Sequence, residues 1–265
     1  MPSAVRTSEH GTAAAGRRPD RRAAPAQARR DAPPGPGLLV TARTQRWNPE
    51  EFLRTLIEAE ITARDESNAR NRMRQAAFPV AKTLGDFDLA ASSIAPATFS
   101  YLASLEWIRA AENTCLIGPA GTGKSHMLVA LGVAAVQAGH RVRYFTAAEL
   151  VETLYRALAD NSAGKVIETM LRNDLITCDE LGFAPLDDTG AQLLFRFTAA
   201  AYERRSPGIG SHWPFESWGR FMPEHTPAVS MLDRLLHHCH VIITNGDSYR
   251  MKQARAQGGS IRKTS

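Results

Sequence analysis

The sequence predicts an α/β fold in which helices flank a five-stranded parallel sheet and a small helical region precedes it. From Asn113 onwards, short apolar runs alternate with helical stretches, which is typical of a parallel sheet covered on both faces. A glycine-rich turn at residues 118–125 joins the first predicted strand to the next helix. The 265 residues are 43% hydrophobic and 22% charged, ordinary values for one globular domain with appendages. Collagen-like, wholly disordered and coiled-coil chains are therefore excluded.

Net charge and cysteine content narrow the class of protein further. Residues 1–46 hold nine arginines and three acidic residues, so the net charge of +5 for the whole chain leaves −1 for the remainder. Any nucleic-acid contact of the folded part therefore depends on local basic patches. Three cysteines without a close pair fit a reducing compartment, and no apolar run approaches the roughly 20 residues of a membrane span. We expect a cytoplasmic protein that does not contact a membrane.

The chain before the sheet divides into a tail and a helical region. Residues 1–46 are rich in Ala, Arg, Pro and Gly and contain too little apolar surface to offset the entropy of ordering, so we expect disorder. The helical region covers residues 47–111. Its first helix begins after Asn48, where the sequence Asn-Pro-Glu-Glu is a capping box with proline at the first helical position. A second helix is predicted over residues 96–111 from apolar residues at helical spacing.

The basic residues of the first helix are candidate DNA contacts, because arginines on one element attract backbone phosphates. The alternative is a solvated helix face, which is favoured for an isolated charged run. The candidate DNA-binding residues are Arg64, Arg70, Arg72 and Arg74.

Residues 112–257 are predicted to form the α/β core, with a flexible end at residues 258–265. A second capping box begins at Thr146 and opens a helix. Pro207 lacks the N–H that a central strand donates, so the fourth strand is predicted to start late, at about Ile209. In chain order the predicted strands are residues 114–117, 141–145, 175–178, 209–211 and 241–244, and the predicted helices are residues 124–137, 146–158, 190–204 and 228–237.

The glycine-rich turn predicts a phosphate-binding loop. Residues 118–125 read GPAGTGKS, which satisfies GxxxxGK[ST] between an apolar strand and an apolar helix. Glycines allow successive N–H groups to point inward at phosphate oxygens, and the helix adds the positive end of its dipole. Lys124 supplies a charge to the β- and γ-phosphates, and Ser125 a ligand for Mg²⁺. The predicted nucleotide-binding residues of this segment are Gly118, Pro119, Ala120, Gly121, Thr122, Gly123, Lys124, Ser125 and His126.

An acidic pair, Asp179 and Glu180, follows a predicted buried strand, and Asp179 lies fifty-five residues after Lys124. The carboxyl ends of parallel strands are where an open α/β sheet binds its ligand. Asp179 is predicted to hold Mg²⁺ through water and Glu180 to polarise the attacking water, so hydrolysis rather than transfer is expected. A helix-capping turn is the alternative for the pair.

Several further segments carry a family resemblance. They are Asp86 to Asp88, Trp107 to Arg109, GPAGTGKSHMLVALGVAAV, CDELGFAPLDDTGAQLLFRF, and the tail from HWPFESWGRF to LDRLLHHCHVIITNGDSYRM. Over roughly residues 49–257 the chain resembles the IstB helper ATPases of insertion sequences, which are DnaC-like members of the AAA+ superfamily. The resemblance implies a P-loop ATPase that uses ATP and Mg²⁺, forms a homo-oligomer on double-stranded DNA and assists an IstA-like transposase.

The same resemblance implies roles for three more residues. Arg234 occupies the motif of an arginine that reaches the γ-phosphate in a neighbouring subunit, although an ion pair within its own helix is the alternative. Arg250 matches a second phosphate sensor. His212 stands where many relatives have an asparagine that orients the hydrolytic water, so the protonation of an imidazole would matter there.

Two other functions remain open from the sequence. A DnaC-like loader of a replicative helicase shares these motifs. A nucleotide-binding scaffold with impaired hydrolysis is the second, because Pro207 and His212 depart from the family pattern.

Overall fold

Two units make up the chain, Met1–Asp65 and Glu66–Ser265, and the boundary between them falls inside one long helix. The computed structural model describes residues 36–222 and 225–256. Within the described ranges, no helix is long and apolar enough to cross a lipid bilayer.

The described part of the first unit is helical. It contains α1, Pro36–Thr44, and the start of α2, Pro49–Ala76. The helix start predicted at Asn48 is confirmed, since Asn48 Oδ1 accepts a hydrogen bond from the N–H of Glu51 at 2.8 Å. Residues 36–44 belong to the segment expected to be disordered, but they form α1, in which Leu38 is buried. The rest of that segment up to residue 35 lies outside the described residues.

The second unit contains the predicted α/β core. Its strands are β1 Asn113–Ile117, β2 Val142–Thr146, β3 Leu175–Leu181, β4 Ser206–Ser211 and β5 Cys239–Ile243, and its helices are α3 Pro96–Ser104, α4 Glu106–Arg109, α5 Lys124–Gln137, α6 Ala147–Ala159, α7 Ala163–Met170, α8 Asp188–Ala201, α9 His225–His237 and α10 Tyr249–Ala256, with 3₁₀ turns at Leu84–Asp86 and Phe215–Arg220.

The five strands are parallel and lie in the order β2-β3-β4-β1-β5, which confirms the predicted sheet. Because side chains alternate along a strand, neighbouring residues of β1 enter different layers of the core. Leu116 belongs to the layer formed with Leu128 and Leu131 of α5, whereas Ile117 packs in the layer formed with α6, α8 and α9. Both faces of the sheet are therefore buried.

The fourth strand starts earlier than predicted, at Ser206, and the prediction of a start at Ile209 is wrong. The N–H of Ser206 donates to the carbonyl of Asp174, beside β3, at 3.1 Å. Successive N–H groups of a strand point to opposite edges, so position 207 faces β1. The ladder between β4 and β1 begins only at Gly208, opposite Thr114. Pro207 thus lies just before the ladder to β1 begins, so the N–H that it lacks removes no hydrogen bond from that ladder.

The helix predicted over residues 96–111 is also wrong in its continuity. Leu105 has a left-handed backbone with φ of 60°, which ends α3 and begins α4. The break buries Trp107, whose Nε1 donates to the carbonyl of Leu102 at 3.0 Å. The spacing of apolar residues does not reveal this break, because Leu105 fits the helical period of residues 96–111.

Other observed helix and strand boundaries differ from the predicted ones by a few residues. Helix α8 ends at Ala201 rather than residue 204, because Tyr202 leaves the helical region, with ψ of 126°, and Glu203 is left-handed, with φ of 53°. Strand β3 continues to Leu181, beyond the predicted end at residue 178. Strand β5 begins at Cys239 and ends at Ile243 instead of covering residues 241–244. Helices α7 and α10 were not predicted.

Candidate functional site

The candidate site lies at the carboxyl edge of three neighbouring strands. The glycine-rich loop follows β1, Asp179 and Glu180 lie near the end of β3, and His212 follows β4, which separates the other two strands. The sheet therefore brings together groups that are distant in sequence, at the edge where open α/β sheets bind ligands.

The loop backbone needs its glycines. Gly118, Gly121 and Gly123 have φ of 149°, 83° and 95°, a region that side chains disfavour. A Cβ on Gly118 would lie 1.9 Å from the carbonyl oxygen of Thr244, and one on Gly121 would lie 2.2 Å from Ser248 Oγ. The loop is thus both left-handed and closely covered by the segment that follows β5.

Lys124 is held by its own loop. Its Nζ donates to the carbonyls of Gly118 and Pro119, each at 2.7 Å. Burial lowers the pKa of the Lys124 ammonium, the negative charge of Asp179 opposes that shift, and the positive charge of Arg250 adds to it. The lysine side chain therefore lies between the loop and the acidic strand end, as a phosphate site requires.

The first turn of α5 leaves its backbone donors uncapped. Gly123 is the N-cap residue, and no side chain caps this helix. Pro119, Ala120 and Ser125 are exposed beside these donors. Unpaired N–H groups, a lysine and an exposed hydroxyl are the donor set that a triphosphate with Mg²⁺ takes, so the residues present fit both groups.

Two predicted loop residues are fixed by neighbours. Thr122 Oγ1 donates to the carbonyl of Pro119 at 2.9 Å and lies 2.7 Å from Thr244 Oγ1. The His126 ring meets Phe87 edge-on, with centroids 5.3 Å apart, and its Nε2 lies 3.4 Å from the carbonyl of Thr83. His126 therefore packs beside the loop against the segment near residue 87.

Asp179 is a buried carboxylate, only 2% exposed. Its Oδ2 accepts a hydrogen bond from the Tyr144 hydroxyl at 2.9 Å, and its Oδ1 accepts one from the N–H of Glu180 at 2.9 Å. Burial, followed by the charge of Asp179, raises the pKa of Tyr144, so this phenol stays protonated and donates. On the β4 side, a Cβ on Gly210 would lie 2.3 Å from Asp179 Oδ1, so only glycine leaves room for the carboxylate.

Glu180 differs from Asp179 in its exposure and in its backbone conformation. It is exposed, it has a left-handed φ of 60°, and it lies where the register of β3 shifts between Cys178 and Leu181. The alternative reading of the pair as a helix cap does not hold, because Asp187 caps α8 by accepting from the N–H of Gly190 at 2.8 Å. The structure thus offers one buried and one solvent-facing carboxylate.

His212 follows β4 at the same edge. Its ring contacts the Trp213 ring, with centroids 4.8 Å apart. Burial, followed by the positive charge of Lys124, lowers the pKa of His212 below the ordinary value for histidine. A neutral imidazole close to the lysine is therefore the form present near pH 7.

The two predicted phosphate-sensing arginines differ in their placement. Arg234 Nη1 donates to the carbonyl of Ser230 at 3.0 Å, and its guanidinium lies 5.1 Å from the centre of the Phe195 ring. Among the residues that the structure describes, it forms no ion pair, so the ion-pair alternative does not hold. Arg250 is exposed at the start of α10, which meets the loop where the N–H of Tyr249 donates to the carbonyl of Gly121 at 3.0 Å.

Of the four candidate arginines of α2, Arg64, Arg70 and Arg74 are exposed and Arg72 is half-buried, and most have partners one turn away. Arg64 pairs with Glu60 at 2.6 Å and Arg70 pairs with Glu66 at 3.5 Å. The amide oxygen of Asn71 accepts from Arg74, and the guanidinium of Arg72 extends toward Gly139. Their contact with DNA stays a prediction, since local partners of this kind are also those of a solvated helix face.

A second polar cluster joins the ends of α8 and α9, away from the loop. The Glu203 carboxylate lies 4.0 Å from His237 Nδ1 and 3.6 Å from His238 Nε2, and the Tyr202 hydroxyl lies 2.7 Å from His237 Nδ1. Glu203 and both histidines are exposed, so we assign them to a surface hydrogen-bond and ion-pair network.

Sequence reasoning missed two residues that shape the site, Tyr144 and Gly210. A buried tyrosine needs a partner for its hydroxyl, which was a usable signal, but the partner lies 35 residues away on another strand. Gly210 lies in the fourth predicted strand, and no local pattern indicates that a carboxylate of a neighbouring strand needs the space beside it.

Comparisons of the sequence with known proteins identify relatives of this chain. The family described as IstB-like ATP binding protein matches residues 36–257. A relative from Pseudomonas aeruginosa, named as an ATP-binding protein of insertion sequence IS21, is 35% identical over 228 residues, which cover 86% of each chain. A relative named for insertion sequence IS5376 of Geobacillus stearothermophilus is 32% identical over 217 residues, covering 82% of this chain and 86% of its own.

Solved structures resemble the fold. The replication initiator DnaA, bound to AMPPCP and single-stranded DNA, matches with a TM-score of 0.53 and 17% identity over 71% of this chain and 58% of that one. DnaI matches with a TM-score of 0.50 and 15% identity over 62% of this chain and 91% of that one. This chain thus spans less than two thirds of the DnaA chain. The likeness is one of fold, and it confirms the predicted α/β architecture of a parallel sheet flanked by helices.

Proposed function

The chain belongs to the IstB-like ATP-binding protein family, and from that membership we propose that it hydrolyses ATP with Mg²⁺ and acts as a DNA-bound helper of a transposase. Its relatives are named as ATP-binding proteins of insertion sequences, which are mobile DNA elements. The proposed partners are therefore double-stranded DNA, an IstA-like transposase and further copies of this chain.

The observation that carries the proposal is the placement of the Lys124 loop opposite the carboxylates of β3. Lys124 and Asp179 lie close enough for their charges to interact, and Ser125 is exposed at the start of α5. Ser125 and Asp179 are the residues that would hold Mg²⁺. When bound, Mg²⁺ supplies positive charge to the phosphates and fixes their position.

Hydrolysis, rather than binding alone, is proposed from the position of Glu180. Its carboxylate is exposed beside the buried Asp179, where it can accept a proton from an attacking water. His212 is the group that would orient that water, in the neutral form that its lowered pKa favours. Pro207 gives no support to the alternative of a scaffold with impaired hydrolysis, because β4 contains this proline without losing a hydrogen bond to β1. His212 is then the one remaining departure from the family pattern that motivates that alternative.

The proposed roles of Lys124 and Glu180 are separable by measurement. Titration of a fluorescent ATP analogue with Mg²⁺ gives binding, and phosphate release in the presence of duplex DNA gives hydrolysis. Glu180→Gln keeps the shape of the side chain, so we expect unchanged binding and a loss of hydrolysis of about 10²- to 10⁴-fold. Glu216→Gln, which changes another exposed glutamate, is the matched control and should hydrolyse like the unsubstituted chain. Hydrolysis that survives in Glu180→Gln would contradict the assignment.

Assembly on DNA needs a separate experiment. Particle mass is measured with duplex DNA, with and without a non-hydrolysable nucleotide, at several salt concentrations. We expect larger particles with nucleotide. We also expect a steep loss of DNA affinity as salt rises, because arginines that bind DNA phosphates displace counterions from the DNA, and this displacement is less favourable at high salt. A particle size that ignores nucleotide would count against the helper function. Co-purification with a hexameric helicase instead of a transposase would favour a helicase loader.

A further inference from the structure

We propose that Tyr144 is a positioning residue that fixes the metal-binding carboxylate of Asp179. This inference rests on the proposed use of Mg²⁺ and ATP. Tyr144 lies on β2 opposite Thr177 of β3, and Asp179 is two residues further along β3 on the same face. The tyrosine side chain crosses this diagonal, and its hydroxyl donates to Asp179 Oδ2 at 2.9 Å.

The hydroxyl controls the orientation of the carboxylate because, among the residues that the structure describes, Tyr144 alone donates a hydrogen bond to Oδ2. The N–H of Glu180 donates to the other oxygen, Oδ1, and Gly210 of β4 leaves space beside Oδ1 without supplying a donor from a side chain. Asp179 is almost fully buried, so bulk solvent does not fix the plane of its carboxylate. Rotation of the carboxylate would break the Tyr144 bond. The acceptor positions not used by Tyr144 and Glu180 are then presented in one fixed direction to a metal-bound water.

Tyr144 is itself immobilised. Its ring packs with Val129 and Val133 of α5 and meets the Phe78 ring edge-on, with centroids 6.2 Å apart. Helix α5 is the helix that begins at Lys124. The tyrosine therefore ties the position of the carboxylate to the helix that carries the phosphate-binding lysine.

Outer groups that orient metal ligands typically change metal affinity by 10- to 100-fold when they are removed. Tyr144→Phe deletes the hydroxyl and keeps the ring. Tyr155→Phe is the matched control, because Tyr155 also donates to an aspartate, Asp187, which caps α8 and has no part in the nucleotide site. The full chain is used for both variants.

The test measures the affinity of fluorescent ADP in EDTA and then as a function of Mg²⁺. In EDTA we expect the unsubstituted chain and both variants to bind alike. With Mg²⁺ added, Tyr144→Phe should need 10- to 100-fold more of the ion than the unsubstituted chain to reach half of the gain in affinity, whereas Tyr155→Phe should not. In the Asp179→Asn background, Tyr144→Phe should have no further effect on the Mg²⁺ requirement.

The outcomes separate the two proposals. If the unsubstituted chain binds no adenine nucleotide, the proposed function fails. If it binds with a Mg²⁺ requirement that Tyr144→Phe shares, the positioning role is overturned while the function stands. A weaker affinity of Tyr144→Phe in EDTA as well would also overturn it, because the hydroxyl would then act on the loop and not on the metal. Mn²⁺ binding followed by electron paramagnetic resonance gives a second readout that does not depend on turnover.

Discussion

Gly210 is the residue whose substitution tests the geometry of the site most directly. A Cβ at this position of β4 would lie 2.3 Å from Asp179 Oδ1 and 2.9 Å from Leu128 Cδ1. The φ of Gly210 is not in the left-handed region, so the backbone accepts alanine. Gly210→Ala therefore adds one methyl group without backbone strain, and the methyl group collides with the carboxylate that is proposed to hold Mg²⁺.

The size of the effect follows from the overlap. An ordinary carbon–oxygen contact is about 3.3 Å, so the carboxylate must retreat by about 1 Å, and misplacement of that size can cost about 100-fold in rate. Overpacking costs roughly 1–3 kcal/mol, whereas replacing a strand glycine by alanine returns roughly 0.5–1 kcal/mol. The free energy of unfolding should therefore fall by about 0–2.5 kcal/mol, which a folded protein tolerates.

The assay compares Gly210→Ala with Gly208→Ala, two residues earlier on the same face of β4. A Cβ on Gly208 would meet Thr177 Cγ2 at 3.2 Å and Leu128 Cδ2 at 3.3 Å, contacts that small side-chain shifts relieve, and none of its three nearest atoms belongs to Asp179. We expect Gly208→Ala to hydrolyse ATP normally and Gly210→Ala to lose about 100-fold in rate, with a melting temperature lower by no more than about 10 °C. Equal activity of the two variants, or an equal loss, would refute the reading of Gly210 as space for the carboxylate.

Three further outcomes are expected. Lys124→Ala should weaken fluorescent ADP binding by about 10- to 100-fold, the worth of a hydrogen bond from a charged donor, and unchanged affinity would remove the lysine from the site. Hydrolysis should fall only at a pH below the ordinary pKa of histidine, about 6.5, because burial and the charge of Lys124 lower the pKa of His212, and His212→Asn should abolish this acid limb. The hydrogen bond from His240, at 2.6 Å, is the main cause that lowers the pKa of Glu112. Its contribution to stability is therefore complete above the ordinary glutamate pKa, about 4.3, and is lost as the pH falls from there through the lower pKa of the folded state, so the melting temperature of Glu112→Gln should depend less on pH in that acid range.

The local chemistry of the site was predictable from sequence, because each signal lies within a few adjacent residues. The loop from Gly118 to Ser125 and the pair Asp179 and Glu180 are such signals, and the structure brings them to one edge of the sheet. Contacts between strands were not predictable in the same way. The bond from Tyr144 to Asp179 depends on which residues of β2 and β3 share a register, and no local pattern encodes that register.

Strand and helix boundaries failed where a tertiary contact overrides a local rule. Pro207 argues for a late strand start when it is considered alone, but its neighbour Ser206 already bonds to the β3 side. Leu105 continues an apolar period, yet it turns left-handed so that Trp107 is buried. Which neighbouring strand the Ser206 N–H faces, and how deeply the Trp107 indole is buried, are decided only when the sheet and the core assemble. Neither can be seen in the local sequence.

The irregular end of β3 has a consequence for how stability and activity are related. In a regular strand, consecutive side chains point to opposite faces, so Asp179 and Glu180 would not serve one site. The register shift and the left-handed backbone of Glu180 interrupt that alternation, and holding a non-glycine residue there costs about 1–3 kcal/mol. Glu180→Gly should accordingly melt at a higher temperature while it no longer turns over nucleotide. Stability and turnover are therefore opposed at this position: the substitution that relieves the backbone also removes the carboxylate proposed to act on water.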